Sequence, residues 1–431
     1  MSGSYMFVLV AVFGTGTWIG RWLHRCVLRF PRHYTLRAQL SSVWREGDCR
    51  SCGTRESGLQ QIPVIGWWMA GRCRNCQRKM DVRRPVVELL TGILLAALYW
   101  VEIPDFGNFV IQKSGLWTQE GPRGPEEIVD LWSLAVWLHL RYLLHAAMLC
   151  SLIVATVIDF ELCIIPDGCT VPAIIFSVVF SFAVGQAWLV PLWFQDDSSA
   201  AEIRRLLPES WKGLIFEWNA VKFAIAHPHW HGLLVSVAGL IVGAGTTWLV
   251  GGIGFWTLKQ EAMGDGDVVL MALIGAVMGW QPVVIVFAFA AMLALPVGIG
   301  TLMLRRDSAE SHHFPYGPWL SLAALLLLLA WRPFWPNVKA CFDFGPVLFV
   351  FGFAGFAGMA VMLWTIYMVK KMLGLTGPEF VTSDEWSSAD HLSYYGAECP
   401  DEQTGQWRRT QWPGRRSGRG LLHYHNWRHP K

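Results

Sequence analysis

Charge is scarce along this chain. Asp, Glu, Lys and Arg make up 16% of its 431 residues, against about 25% in ordinary soluble domains. The deficit falls in long apolar runs, and 53% of all residues are hydrophobic. That pattern excludes a water-soluble globular enzyme. A net charge of +3 is too small to argue for a nucleic-acid partner, and none is expected. No basic residue precedes the first apolar run, Met6 to Leu23, and Arg21 and Arg25 lie at its far end. It therefore reads as a retained span rather than a cleaved signal peptide. No internal repeat is visible.

What is present is a series of apolar runs: Met6 to Leu23, Val86 to Val101, Leu140 to Ile158, Thr170 to Val190, Gly232 to Leu258, Val268 to Gly279, Val283 to Leu304, Pro315 to Trp331 and Pro346 to Val369. They predict an all-α polytopic membrane protein with about nine transmembrane helices. The Val268 run is short for a span and requires packing inside the bundle or a polar turn that enters the membrane edge. Arg and Lys crowd the segment from Arg29 to Arg84, which the positive-inside rule places in the cytoplasm, with the N-terminus outside. Acids dominate the next loop, Glu102 to His139. Alternation then brings Asp159, the Lys259 to Asp267 segment, Arg305-Arg306 and the Lys370-Lys371 end to the cytoplasmic side. Tryptophans near span ends, such as Trp22, Trp100 and Trp280, fit an interfacial belt in the lipid bilayer, although each serves equally well as apolar filler. The expected organisation is a first span in 1–26, a small cytoplasmic zinc-binding loop domain in 27–85, a helical core in 86–371 and a disordered cytoplasmic tail in 372–431.

The outer segment Pro191 to Trp230 reads as a polar excursion. Its His227-Pro228-His229-Trp230-His231 cluster has no accompanying carboxylate or Cys and is expected to be a solvated loop rather than a metal site. The tail beyond Gly374 lacks periodicity. Its Arg-rich end, with Trp407 and Trp412, reads as a solubilising tail, with contact to anionic lipid as the alternative.

Cysteine has one informative pattern. Cys49-Arg50-Ser51-Cys52 and Cys73-Arg74-Asn75-Cys76 are two Cys-x-x-Cys pairs at the separation of knuckles sharing one tetrahedral Zn²⁺. Two disulfides are the alternative, which a reducing cytoplasm disfavours. Cys49, Cys52, Cys73 and Cys76 are the expected metal ligands. Cys26, Cys150, Cys163, Cys169, Cys341 and Cys399 have no paired spacing.

Two acids end apolar runs on the same predicted face. Asp159 closes one, ahead of Cys163-Ile164-Ile165-Pro166-Asp167. Asp267 ends a Gly264-Asp265-Gly266-Asp267 run that opens another. A carboxylate at the mouth of a membrane helix is costly and usually functional. Two carboxylates sharing one proton can activate a water and protonate a leaving amine, because like charges in contact cannot both ionise. Each acid also has a structural reading: Asp167 as a cap of the following helix, Asp265 as a solvated turn, Asp159 as an interfacial anchor and Asp267 as an N-cap. The same-face pairing favours Asp159 and Asp267 as a catalytic dyad.

In order along the chain, these residues resemble the prepilin leader peptidases of type IV pilus and type II secretion systems. The resemblance is carried by the two Cys pairs around Ile62-Pro63-Val64-Ile65-Gly66-Trp67, then Arg84-Pro85-Val86-Val87-Glu88-Leu89. It continues through Ile158-Asp159 with Ile165-Pro166-Asp167, Gly264-Asp265-Gly266-Asp267 and Phe314-Pro315-Tyr316-Gly317-Pro318. It implies an aspartic endopeptidase that removes the leader from prepilin or pseudopilin substrates at the cytoplasmic face of the bacterial inner membrane. It also implies S-adenosylmethionine-dependent methylation of the new N-terminus, with Glu88 in the region linked to it. Two departures stand out: Val269 replaces the Lys usual in the family, and Cys49-Arg50 replaces a Cys-Pro. The rival readings are a presenilin-like intramembrane protease, a proton-coupled transporter and a catalytically silent assembly scaffold. The Cys module and edge-of-membrane acids disfavour the first, and span-end rather than mid-span acids disfavour the second.

Overall fold

A computed structural model describes residues 3–33, 35–45, 52, 54, 58–103, 131–193, 205, 208–214, 220–258, 263–304, 315–342 and 347–372. Cys49 and the expected tail beyond 372 lie outside the described residues. Among those described, the architecture is all-helical, with one isolated bridge between Arg72 and Lys79.

The apolar runs become α1 (Gly3–Arg29), α4 (Arg83–Glu102), α5 (Leu131–Leu162), α6 (Asp167–Val184), α8 (Pro228–Leu258), α10 (Trp280–Leu304) and α13 (Val347–Met372). All seven are long and apolar enough to cross a membrane, so this is a multi-pass membrane protein. Between the first two lie α2 (Leu36–Arg45) and α3 (Ile65–Ala70), and α7 (Ala220–Ala226) precedes α8.

The two other expected spans differ. The Val268 run is α9 (Asp265–Met278), of 14 residues, or about 21 Å at 1.5 Å per residue, against an apolar slab of about 30 Å. Burial sustains it, since every residue from Leu270 to Met278 is buried. The Pro315 run becomes α11 (Gly317–Leu329), and α12 (Trp331–Val338) follows from its last residue, bent from α11 by 91°. Pro333 has no N–H to offer the Leu329 carbonyl, so α11 cannot continue through it.

Glycine sets the closest helix pairs. A Cβ on Gly16 of α1 would lie 2.8 Å from the Gly92 Cα of α4, and one on Gly20 would lie 2.7 Å from the Glu88 Cα. Gly239 and Gly243 of α8 press in the same way on the Gly275 and Met271 carbonyls of α9. Small residues four apart let backbones touch where lipid offers no hydrophobic drive to associate. Around these pairs, Leu152 and Ile158 of α5, Leu270 and Ile274 of α9, and Leu320 and Ala324 of α11 form the centre of the core.

Three local expectations are corrected. The fourth run ends at Val184, not Val190, because Gly185 turns left-handed at φ 76° and its N–H closes on the Ser181 carbonyl at 2.9 Å. Asp167 does not cap α6: Pro166 is the N-cap and Asp167 follows it in the first turn, with no side-chain capping bond. The histidine cluster is not a solvated loop. His229 and His231 belong to α8, and His231 is fully buried, with Nε2 accepting the Leu192 N–H at 3.1 Å.

Candidate active site

Asp159 sits in the last turn of α5. That helix stops where Cys163 adopts φ 53° and donates its N–H to the Asp159 carbonyl at 2.9 Å. The chain then runs through Ile164 and Ile165 to Pro166, which is extended at φ −68° and ψ 142° and starts α6. Asp267 occupies the first turn of α9. Its N-cap is Gly264, whose carbonyl accepts the Asp267 N–H at 3.1 Å. Asp267 is therefore not the cap but a first-turn carboxylate at the positive end of the helix dipole.

The two acids converge through a third element. A Cβ on Gly317, the first residue of α11, would stand 2.6 Å from Asp159 Oδ2 and 3.0 Å from Ile165 Cδ1. A Cβ on Gly266 would stand 2.9 Å from the Cβ of the same Ile165. Ile165 is thus wedged between the turn that carries Asp267 and the helix start that faces Asp159. The Gly317 backbone N–H is directed at the Asp159 carboxylate, and Asp267 lies within electrostatic reach of both Asp159 and Tyr316. The Gly264 N–H supports the Asp267 carboxylate.

Both acids are buried, with 5% of Asp159 and 9% of Asp267 exposed, and Asp159 Oδ2 has no hydrogen-bond partner. Among the described residues neither forms an ion pair. Val269, half-buried two residues on, supplies no cation. Asp167 and Asp265, in contrast, are exposed. An unsatisfied carboxylate oxygen beside a second buried carboxylate is an arrangement suited to holding and passing a proton.

The cysteine module lies between α1 and α4. The Sγ atoms of Cys52, Cys73 and Cys76 all lie within 4.8 Å of one another, and those of Cys52 and Cys73 are 3.7 Å apart. A tetrahedron with Zn–S bonds of about 2.3 Å has an S–S edge of about 3.8 Å, whereas a disulfide needs about 2.05 Å. The cluster is spaced to hold a metal ion. Around it, the Cys73 N–H bonds the Arg78 carbonyl at 2.9 Å, and Gln77 turns left-handed at φ 55° to donate back to Cys73.

Glu88 is fully buried. It accepts from Arg84 Nε at 2.9 Å and from the Val64 N–H at 2.5 Å. Arg84 reaches on to the Gln60 carbonyl at 2.7 Å, as does Arg21 of α1 at 3.1 Å. Glu88 therefore ties the start of α3 to α4. The nearest links from this region to the acids are an ion pair between Arg83 and Glu161, at 2.5 Å, and the Gln39 side chain of α2, which accepts the Gly168 N–H of α6 at 2.6 Å.

Sequence reasoning quoted Gly317 and Ile165 only as parts of motifs, and their contacts across the site emerge only in the fold. It missed a second buried charged set. His145 Nδ1 contacts Glu102 Oε1, Arg332 donates to the Glu102 carbonyl at 3.2 Å, and Arg141 is buried on the same helix as His145. A His and an Arg within one apolar run were the available signal. The set lies fourteen residues before Asp159 on α5, about 21 Å along the helix, and belongs to the opposite end of the bundle.

Two sequence families match the chain. The Bacterial Peptidase A24 N-terminal domain covers residues 15–102, which include Cys52, Cys73, Cys76 and Glu88. The Type IV leader peptidase family covers residues 204–299, which include Asp267. Asp159 falls between the two matched stretches. The chain is 26% identical over 286 residues to a prepilin leader peptidase/N-methyltransferase of Aeromonas hydrophila, spanning 65% of this chain and 70% of the relative. Proteins of the same description from Pseudomonas putida and Neisseria gonorrhoeae are 25% and 24% identical, covering 65% and 68% of this chain and 70% and 73% of the relatives. No solved structure matches.

Proposed function

The chain belongs to the type IV leader peptidase family, and on that premise we propose that it is an integral-membrane endopeptidase that removes the leader from prepilin-like substrates. The observation that carries the reading is that Asp159 and Asp267, buried and far apart in sequence, flank one residue: Ile165 packs against Gly317, which faces Asp159, and against Gly266, which precedes Asp267. In the proposed reaction one carboxylate takes a proton from a water as its oxygen attacks the scissile carbonyl carbon. The protonated partner holds the carbonyl oxygen and a proton passes to the leaving amine as the C–N bond breaks. No covalent intermediate on the protein is required. Burial keeps the pair from holding two negative charges, and the Gly317 N–H orients Asp159.

The test is co-expression with a tagged prepilin, scoring leader removal for wild type, Asp159→Asn and Asp267→Asn. Cleavage surviving in either variant overturns the dyad. The rival readings separate in the same assay: a transporter or a silent scaffold leaves the prepilin uncut in wild type, and a presenilin-like protease cuts inside the apolar helix rather than at the leader junction.

The relatives' printed name adds N-methyltransferase, and methylation of the new N-terminus, with S-adenosylmethionine as donor, is the proposed second activity. Glu88 does not fit as a direct ligand, because both carboxylate oxygens are engaged and the side chain has no exposed surface. Its proposed role is to hold the loop in shape. For the cysteine module the proposed metal is structural Zn²⁺, held by Cys52, Cys73, Cys76 and Cys49, the last of which lies outside the described residues. The proposed setting is the bacterial inner membrane, with nine crossings counting α9 and the bent α11–α12 pair, the N-terminus outside and the C-terminus and acids at the cytoplasmic face. The proposed domain limits are those read from the sequence: 1–26, 27–85, 86–371 and 372–431.

A further inference from the structure

The short helix α3 has an apolar side that nothing among the described residues covers. Ile65, Trp68 and Met69 fall at i, i+3 and i+4 and so share one face, and they are 53%, 82% and 68% exposed. A water-facing loop does not ordinarily present a Trp and a Met side by side at such exposure.

The depth of α3 is fixed from both ends. At its N-terminus, the Val64 N–H is held by Glu88, five residues inside α4. The candidate span begins at Arg83, so that anchor lies about 7.5 Å along the helix from the span start. At its C-terminus, Gly71 accepts the Met80 N–H at 3.0 Å, and Met80 precedes the span. The helix therefore lies beside the first turns of α4, at the depth where interfacial helices rest, about 5–10 Å into the headgroup and acyl boundary. The exposed side of α4 from this level inward is itself apolar, with Val86 58% and Ile93 54% exposed, so the lipid-facing surface of the bundle continues toward the α3 level. Beyond α3 the exposed residues turn basic: Arg72, Arg74, Arg78 and Lys79.

We propose that α3 is an interfacial helix, with Ile65, Trp68 and Met69 seated in the bilayer and the following basic residues on anionic headgroups. The cysteine module would then be held at the membrane surface rather than projecting into solvent. This stands on the depth of α3 and the basic rim and does not depend on the acid pair.

The test uses the full chain in nanodiscs of phosphatidylcholine with phosphatidylglycerol. An environment-sensitive fluorescent amino acid replaces Trp68 in one protein and Asn75, an exposed residue of the cysteine turn, in another. Nitroxide-labelled lipid carrying its spin at a shallow acyl position is expected to quench position 68 about threefold more than position 75, as an interfacial residue demands. A water-soluble quencher should show the reverse order. Two results overturn the proposal. Free access of the aqueous quencher to position 68 would mean a solvated helix. Protection from both quenchers would mean that protein, such as a second copy of the chain, covers the face. The basic rim is tested separately: in phosphatidylcholine alone, lipid quenching at position 68 should fall, and a signal that does not change removes the anionic part of the proposal.

Discussion

The acid site and the cysteine module sit on consecutive parts of one membrane protein and are held together by opposite means. The acids are placed by packing. Asp159 ends a helix, α5, whose apolar stretch is 61% buried, Asp267 starts a helix buried from Leu270 to Met278, and a single isoleucine is wedged between them. The module has almost no apolar interior. Cys52 and Cys76 are exposed, α3 has six residues, and its order rests on thiols, a left-handed Gln77 and the buried Arg84–Glu88 pair. One region needs every neighbour to keep its shape, while the other needs a few strong bonds. The two should therefore fail differently.

The largest effect is expected at the acids. Asp159→Asn and Asp267→Asn should each lower leader cleavage by at least about 10²-fold, the lower range for loss of a positioned acid or base. The helical content by circular dichroism should be unchanged, because the substitution keeps shape and removes only the proton. Near-normal cleavage by either variant would erase the contrast between the regions.

Next comes Glu88→Ala. It leaves the buried Arg84 without its carboxylate, with the Gln60 carbonyl still bonded, and takes away the acceptor of the Val64 N–H. Breaking one side of a buried pair costs about 3–5 kcal/mol. The cost should fall on the module: limited proteolysis between residues 58 and 82 should accelerate, while the α5–α9–α11 core unfolds at nearly the wild-type temperature. Equal loss of stability in both regions would show that they form one cooperative unit, joined through Arg83–Glu161 and Gln39–Gly168.

A steric change should reach the acids without touching them. Gly317→Ala puts a methyl 2.6 Å from Asp159 Oδ2 and 3.0 Å from Ile165 Cδ1, so the carboxylate and the isoleucine side chain must swing away from their present places. A fall in cleavage of about tenfold is expected, between the acid variants and wild type, as one misplaced reacting group costs roughly that or more. Gly245→Ala is the control, since open space surrounds that position. If both alanines behave alike, the convergence at Gly317 is not what positions Asp159.

For the module, Cys76→Ser or a chelator should remove bound metal, read as a fall in zinc per chain, and should expose the loop to protease. Cleavage should drop less than for either acid variant, because Cys52, Cys73 and Cys76 make no contact with the acid pair. Zinc content unchanged by Cys76→Ser would dismiss the cluster as a metal site.

The same contrast explains what was legible in the sequence. Apolar runs gave the helices, and charge asymmetry put both acids on one predicted face, because hydropathy is a local property. The bend between α11 and α12 was visible only as an Arg332-Pro333 just past the end of the Pro315 to Trp331 run. The early stop of α6 rested on a Gly185 whose left-handed turn no periodicity announces. The contact between Gly317 and Asp159 was not legible at all: it depends on how α11 meets α5, which no short motif encodes. In the module the two Cys pairs were plain, yet the seating of α3 against α4 required the Val64–Glu88 bond. His145 lies inside one apolar run and Glu102 just past the end of another, and only the packing of α4 against α5 brings them together.

The smallest effect is expected at the exposed acids, and it tests the pairing most sharply. Asp265 is two residues from Asp267 and carries the same charge, so a site that needed only local negative charge would miss it. Its side chain, however, faces solvent, where charge–charge terms are weak and screened over about 10 Å at 0.1 M salt. Asp265→Asn and Asp167→Asn should therefore change cleavage by less than about twofold. If Asp265→Asn matches Asp267→Asn, the active carboxylate has been misassigned within the Gly264–Asp267 turn. If both exposed variants cut normally while the buried ones do not, position in the packed core, and not acidity near the membrane edge, is what separates Asp159 and Asp267 from their neighbours.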